Sequence, residues 1–322
     1  MFDDMEIVGV YSFYVDDVLV GEHRNALTSA GRALAIKSLL GYRSGIADSI
    51  AVGIGNTANT LNSASTLITN NSLEFEIARV PISSTSTEIS SNQTALVFYA
   101  KIESPDQYQI REIALFPSMT LDQSISVDGS VIFNFDQVDT FVKYGTASYV
   151  SLEDSASARI GTQMLLMNQG NGTTNYIEKI METSALSVLN RYSSEDYFKV
   201  SMYNTAATVA SVNIRFFTDS SNYYTVTFTS SAVAGYQVVK ATKSSATKVG
   251  SPDWGDIYSV RIWNSSSHDI YLDALRMDVG DYFLDTNFGM VSRAVLPSPI
   301  LKRASIPMTV QYSLLTNFSG GV

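Results

Sequence analysis

Three kinds of residue in this chain have chemistry to offer: carboxylates in adjacent pairs, aromatic rings gathered in one stretch, and a glycine-rich turn. The pairs are Asp3–Asp4, Asp16–Asp17 and Glu153–Asp154. General acid–base work needs two carboxyls opposed across a cleft, and neighbours on one strand or turn do not provide that. Asp16–Asp17 therefore reads as a solvated turn. Glu153 and Asp154, joined by Asp273, are candidates for a structural Ca²⁺ site, although calcium takes about six to eight oxygens and three residues do not supply them. No other cofactor is expected. The rings are Tyr203, Tyr223, Tyr224, Tyr236, Trp254, Tyr258 and Trp263. An exposed ring stacks on a sugar, and nearby Asn and Asp supply hydrogen bonds. Trp254, in the loop SPDWGD, is the best candidate for exposure, and Tyr223 and Tyr224 complete a candidate glycan site. Alternation from Ile257 to Trp263 puts Ile257, Ser259, Arg261 and Trp263 on one face and Tyr258, Val260 and Ile262 on the other. Which face is the outer one stays open, and most of these rings are expected in the core.

The glycine-rich segment is GIGNTAN, residues 53–59. A dinucleotide fingerprint needs three glycines opening a helix inside a βαβ unit. Here a polar loop and another strand follow, and the lysine of a phosphate loop is missing. The glycines serve a turn. His23 and His268 stand alone and read as structural. No Ser/His/Asp arrangement has motif support. The chain is expected not to be an enzyme.

Composition narrows the class. The 322 residues are 45% hydrophobic and only 16% charged, with a net charge of −10 and no cysteine. Disulfides and thiolate metal sites are excluded. An acidic balance without a basic run argues against nucleic acid as a partner. The N-terminus MFDDMEIVGV lacks a basic region, and no apolar run reaches ~18 residues, so neither a signal peptide nor membrane insertion is expected. Few charges beside many Ser, Thr, Asn and Tyr suit β-structure with polar surfaces, or a surface that faces other subunits.

The elements follow from periodicity. EIVGVYSFYVDDVLVG alternates about Asp16–Asp17 as two strands and a turn. LTSAGRALAIKSLLG is the one clear helix, capped by Thr28 and closed by Gly41. Ser49–Ile54 is a strand, Thr57–Asn71 a polar loop, and Phe75–Val80 a strand limited by Pro81. Ala95–Ile102 and Tyr108–Phe116 are expected to pair as a hairpin across Ser104–Gln107. Ser130–Phe141 is a further strand. From about Lys143 the character changes: some eight strands follow at intervals of roughly a dozen residues, without a helix, as in a sandwich or jelly roll. The tail DTNFGMVSRAVLPSPILKRASIPMTVQYSLLTN changes again, with Pro297, Pro299 and Pro307 punctuating two strands. The fold class is therefore mainly β. A small α+β domain, one helix on a sheet, spans 1–143 and is completed by 285–322. An antiparallel β-sandwich or jelly roll, 144–284, is inserted within it.

The order of helix, Gly-rich strand end and two further strands is similar to the N-terminal region of tail-fibre, tail-collar and baseplate proteins of tailed bacteriophages. The residues that carry the resemblance are Gly31, Gly53, Gly55, Thr57, Glu76, Arg79, Ile110, Glu112, Ile113, Leu115 and Phe116. VSRAVLPSPILKRASIPMTVQYSL resembles their closing strands, and Ile54 departs from the usual Thr. The middle part, through IYSVRIWNSSSHDIYLDALRM, looks like a carbohydrate-binding-module jelly roll. The resemblance implies a structural virion protein on the tail or particle surface. It would dock on copies of itself and other virion proteins and expose the jelly roll. The alternatives are a carbohydrate-binding receptor-recognition protein, with host-surface glycans as partners, and a capsid decoration or head-fibre protein.

Overall fold

The computed structural model describes residues 5–25, 27–28, 31–34, 46–55, 73–89, 93–103, 105–117, 131–135, 141–145, 150–155, 157–169, 174–182, 185–278 and 290–318. The chain forms two compact units, Met1–Leu121 with Asp281–Val322, and Asp122–Gly280. The first segment carries β1 (Met5–Val15), β2 (Val18–Asn25), β3 (Ser49–Gly53), β4 (Glu76–Ile89), β5 (Gln93–Ile102) and β6 (Tyr108–Phe116). The second unit holds β7 (Val131–Phe133), β8 (Val142–Tyr144), β9 (Val150–Asp154), β10 (Gln163–Met167), β11 (Tyr176–Ile180) and β12 (Tyr197–Asn204). It continues with β13 (Ser211–Phe217), β14 (Tyr223–Thr229), β15 (Gly235–Thr242), β16 (Thr247–Val249), β17 (Ser259–Asn264) and β18 (Ile270–Asp278). The tail returns to the first unit as β19 (Ser292–Lys302) and β20 (Met308–Phe318).

The first unit is one antiparallel sheet in the order β19-β6-β3-β4-β5-β20-β1-β2. Asp16 and Asp17 both have positive φ, 49° and 61°, as a two-residue type I′ turn requires, and Val15 faces Val18 across it. β5 and β6 are not a hairpin. Both flanks of β5 are taken by β4 and β20, and both flanks of β6 by β3 and β19. The tail strands claim the pairing that sequence proximity suggested. β19 carries Pro297 and Pro299 inside the register shift between Val295 and Ile300, where no ladder N–H is needed. The sheet rolls until its end strands meet: Leu27 bridges Ser292, and Asn25 Nδ2 donates to the Arg293 carbonyl at 3.4 Å. Tyr11, Phe13, Phe75, Val97, Ile110, Val310 and Tyr312 fill the interior. Of the expected helix, residues 31–34 are helical and Thr28 caps them, its Oγ1 accepting the Gly31 N–H at 2.9 Å. The remainder, with Gly41, lies outside the described residues, as do Asp3–Asp4 and the loop Thr57–Asn71.

The Gly-rich strand end receives an anion from within the chain. The Glu112 carboxylate accepts N–H groups from Phe75 at 2.8 Å, Glu74 at 3.0 Å and Gly55 at 3.2 Å, and pairs with Arg293 at 2.6 Å. A Cβ at Gly53 or Gly55 would stand 2.6 or 2.5 Å from Glu112 Oε1, so side chains are excluded there. Beside it, Arg79 forms a two-point pair with Glu76, at 2.9 and 2.7 Å, and lies 3.7 Å over the Phe116 ring. Gly53, Gly55, Glu76, Arg79, Glu112 and Phe116 thus make one buried polar clamp.

The second unit is an antiparallel sandwich. One sheet runs β15-β12-β18-β10-β9, with β7 also on β18; the other runs β16-β14-β13-β17-β11-β8. Phe198, Val200, Met202, Leu272, Leu275 and Met277 from the first sheet share a core with Val212, Ile214, Phe216, Val226, Phe228, Val260 and Ile262 from the second. Strand and core begin before residue 144. Val131 and Phe133 face Arg276 and Leu275, and Phe133, Phe135 and Phe141 lie in the sandwich core. Of the expected strand Ser130–Phe141, only Val131–Phe133 is a strand among the described residues.

Candidate functional site

The outward face of the β16-β14-β13-β17-β11-β8 sheet gathers rings and charge. Strand alternation sends Ile214, Phe216, Val260 and Ile262 into the core and places Asn213, Arg215, Phe217, Ser259, Arg261 and Trp263 on the opposite face, where Phe217 and Ser259 are themselves buried. Cross-strand register aligns them in rows. One row runs Val142, Glu178, Arg261, Arg215, Thr225, Thr247 across all six strands. On one side of it, Tyr144 faces Tyr176, and Trp263 faces Asn213, which faces Thr227. On the other, Ser259 faces Phe217, Phe217 faces Tyr223, and Tyr223 faces Val249. At ~4.8 Å between strands the rows span roughly 24 Å, the reach of an oligosaccharide rather than one sugar.

Contacts lock these side chains. Tyr144 stacks on Tyr176 with centroids 4.6 Å apart and planes at 20°. Arg261 lies 3.9 Å over the Tyr176 ring and pairs with Glu178 at 3.0 Å, while Ser259 Oγ donates to the other Glu178 oxygen at 2.8 Å. Arg215 lies 4.2 Å over Tyr223 and 5.1 Å from the Trp263 ring centre, and its Nε donates to Thr225 Oγ1 at 3.0 Å. Thr227 Oγ1 donates to Asn213 Oδ1 at 2.7 Å, and Asn213 Nδ2 donates to Ser265 Oγ at 2.8 Å. Tyr144 is exposed; Tyr176, Arg215, Tyr223, Arg261 and Trp263 are each half-buried. Burial is the main cause that lowers the Arg215 pKa; Tyr223 opposes it and Arg261 adds to it. The face offers aromatic surfaces, fixed guanidinium donors, and amide and hydroxyl groups in one plane.

No protein-family model matches the chain, and no curated protein does. Solved structures do match. A family 11 carbohydrate-binding module from Clostridium thermocellum, in complex with a β-1,3-1,4-mixed-linked tetrasaccharide, is 12% identical; the match covers 47% of this chain and 95% of that one, with a TM-score of 0.34. The C-terminal family 22 carbohydrate-binding module of Clostridium thermocellum Xyn10B is 14% identical over 48% and 96%, with a TM-score of 0.31. An exo-β-agarase is 10% identical over 47% of this chain and 25% of its own, with a TM-score of 0.35. Identity and TM-score are low throughout, so what the face can bind follows from its own side chains.

The candidate glycan residues of the sequence reading fall on both sides of this sheet. Tyr223 belongs to the outward face. Trp254 does not stand free: Tyr224 stacks on it at 4.0 Å and 3°, and Phe198 and Phe216 lie at 5.4 Å. It closes the end of the core, and the Tyr224 hydroxyl donates to the Pro252 carbonyl at 2.7 Å beside it. With Tyr224 stacked on one face and Phe198 and Phe216 packed against it, the indole belongs to the core rather than to the outward face. Trp263, Tyr176, Tyr144, Arg215, Arg261 and Glu178 carry the face instead. The alternation of Ser259, Arg261 and Trp263 was the signal for part of it. The β11 and β8 contributions had none, because which strand lies beside β17 is a matter of topology.

The metal set is not assembled. Asp154 lies on the strand face opposite Glu153, where its Oδ1 accepts from Gln163 Nε2 at 2.9 Å. Glu153 faces Met164, which separates it from Asp273 by a strand, and its Oε2 accepts from the Tyr271 hydroxyl at 3.1 Å. Among the described residues no group of three acidic or histidine side chains is placed to hold a metal. Asp273 is the extra residue of a bulge, where Ser201 and Met202 face Ala274 and Leu272. The bulge turns its carboxyl outward from the core into a buried polar cluster. Backbone N–H groups of Arg159 and Ile160 donate to it at 3.2 and 3.4 Å, and Tyr236 donates to it while also meeting Ser201. The Arg159 guanidinium covers the Tyr236 ring at 3.3 Å. Burial pushes the Asp273 carboxyl up to about 7 against these donors. Of the histidines, His268 Nε2 meets Asn204 Oδ1 at 2.6 Å and Nδ1 meets Thr208 Oγ1 at 3.3 Å; His23 is half-buried, which lowers its pKa.

Proposed function

We propose that the chain is a carbohydrate-binding protein whose recognition surface is the outward face of the β16-β14-β13-β17-β11-β8 sheet. The observation that carries this is the alignment of Tyr144, Tyr176, Trp263, Arg215, Arg261 and Tyr223 across neighbouring strands. Pyranose rings present C–H faces to aromatic rings, and their hydroxyls match guanidinium, amide and hydroxyl groups. Placing these groups on strands, with each guanidinium held by a ring and a hydrogen bond, lowers the ordering cost of binding. The test is an oligosaccharide panel titrated calorimetrically against wild type, Trp263→Ala and Tyr176→Ala, with far-UV circular dichroism as the fold control. Binding is expected for wild type and to fall at least tenfold in both folded variants. Absence of binding across the panel, or binding indifferent to both substitutions, refutes the reading.

A second reading concerns the first unit. A structural role in a tailed-phage particle is favoured by the end strand β2, where Val18, Leu19 and Val20 are 63%, 49% and 47% exposed. Such a row suits a neighbouring subunit. Light scattering of the purified protein and immunogold labelling of particles are expected to show oligomers and decorated virions. Unlabelled particles and a monomer refute it.

A further inference from the structure

On the reading that this face binds saccharide, we infer that its ligand is a carboxylate-bearing glycan rather than a neutral one. Arg261 and Arg215 stand directly opposite each other on β17 and β13. Like charges in that position repel. Glu178, on the far side of Arg261, is the one carboxylate paired with either of them among the described residues, and it serves Arg261 alone. Arg215 is fixed by Thr225, Tyr223 and Trp263, none of which is an acid. The buried Nε–H of Arg261 has no hydrogen-bond partner among the described residues. The row therefore keeps a surplus positive charge on a chain whose net charge is −10. Acidic side chains are plentiful in the chain, yet among the described residues none is paired with Arg215. A saccharide carboxylate laid beside Arg215 would take the bidentate N–H pair that a guanidinium offers. Its ring would meanwhile rest on Trp263, since Tyr144 and Arg261 already cover the Tyr176 ring. A neutral sugar would leave the Arg215 charge uncompensated.

The experiment compares pairs of ligands that share a backbone and differ in charge: oligogalacturonate with its full methyl ester, and sialyllactose with lactose. Each is titrated into the full chain and into Arg215→Gln and Trp263→Ala. In at least one pair the carboxylated member is expected to bind at least tenfold tighter at low salt, with the advantage shrinking as salt rises. Arg215→Gln should erase that difference, the carboxylated member losing more affinity than the neutral one until the two bind alike. Trp263→Ala should weaken both members. If the neutral members bind equally well and only Trp263→Ala matters, the acidic preference is overturned and the carbohydrate reading stands. Absence of binding to all four ligands overturns both. Polyglutamate is the charge control: equal binding to it also overturns the inference, since charge alone would then suffice.

Discussion

Glu112→Gln tests the clamp at the centre of the first unit. The Glu112 and Arg293 side chains are 1% and 2% exposed, 2.6 Å apart, and the carboxylate also takes three backbone N–H groups. The amide keeps an acceptor for Phe75 and Gly55. It also places an NH₂ against the Glu74 N–H and the Arg293 guanidinium, two donors that then lose the acceptor Glu112 gave them. Breaking a buried ion pair from one side costs about 3–5 kcal/mol, because the remaining charge stays buried and uncompensated. For a unit of roughly 160 residues each kcal/mol moves Tm by about 2–4 °C, so a fall of ~10 °C is expected. Both tryptophans, Trp254 and Trp263, lie in the sandwich, so tryptophan fluorescence follows the second unit and supplies an internal reference. Urea melts followed by far-UV circular dichroism should show an early phase that fluorescence does not share. The double substitution Glu112→Gln/Arg293→Met should regain part of the loss, since it leaves no stranded charge while the amide oxygen still accepts from Phe75 and Gly55. A loss below about 1 kcal/mol for Glu112→Gln would falsify the idea that this pair clamps the unit.

Two further outcomes are expected in the sandwich. The Asp273 carboxyl has a folded pKa of about 7 against an ordinary 3.8, so folded protein holds a proton that unfolded chain releases between those values. Its stabilising contribution is full below about pH 4, declines as pH rises and is lost above about 7; Asp273→Asn should remove that slope from fluorescence-monitored melts between pH 4 and 8, and an unchanged slope would sink the assignment. Tyr224→Ala uncovers one face of Trp254, so the emission should shift to the red and the sandwich lose about 1–2 kcal/mol from stacking and burial; unshifted emission would mean the stack does not shield the indole.

Several elements were legible from the chain alone because they rest on local rules. The turn at Asp16–Asp17 needs only two residues that tolerate positive φ. Thr28 caps a helix start through its own hydroxyl. The strands from β10 to β18, all but the short β16, announce themselves by alternation, as does the sharing of one face by Ser259, Arg261 and Trp263. The absence of cysteine excluded thiolate chemistry at once. Pairing was another matter. Nothing local says that β5 chooses β20 over β6, because the partner arrives after an entire second unit and wins by filling the ladder and the core together. The same holds for function. Trp254 looked exposed because its loop is polar, but Tyr224 and the core rings reach it from strands distant in sequence. The glycines of GIGNTAN read as a turn, and only the tertiary fold shows that the Gly55 N–H donates to an anion, Glu112. Residue types and periods thus settled which side chains share a strand face. Which strands stand side by side, and so which rings and guanidiniums form one surface, depended on long-range burial that no local pattern encodes.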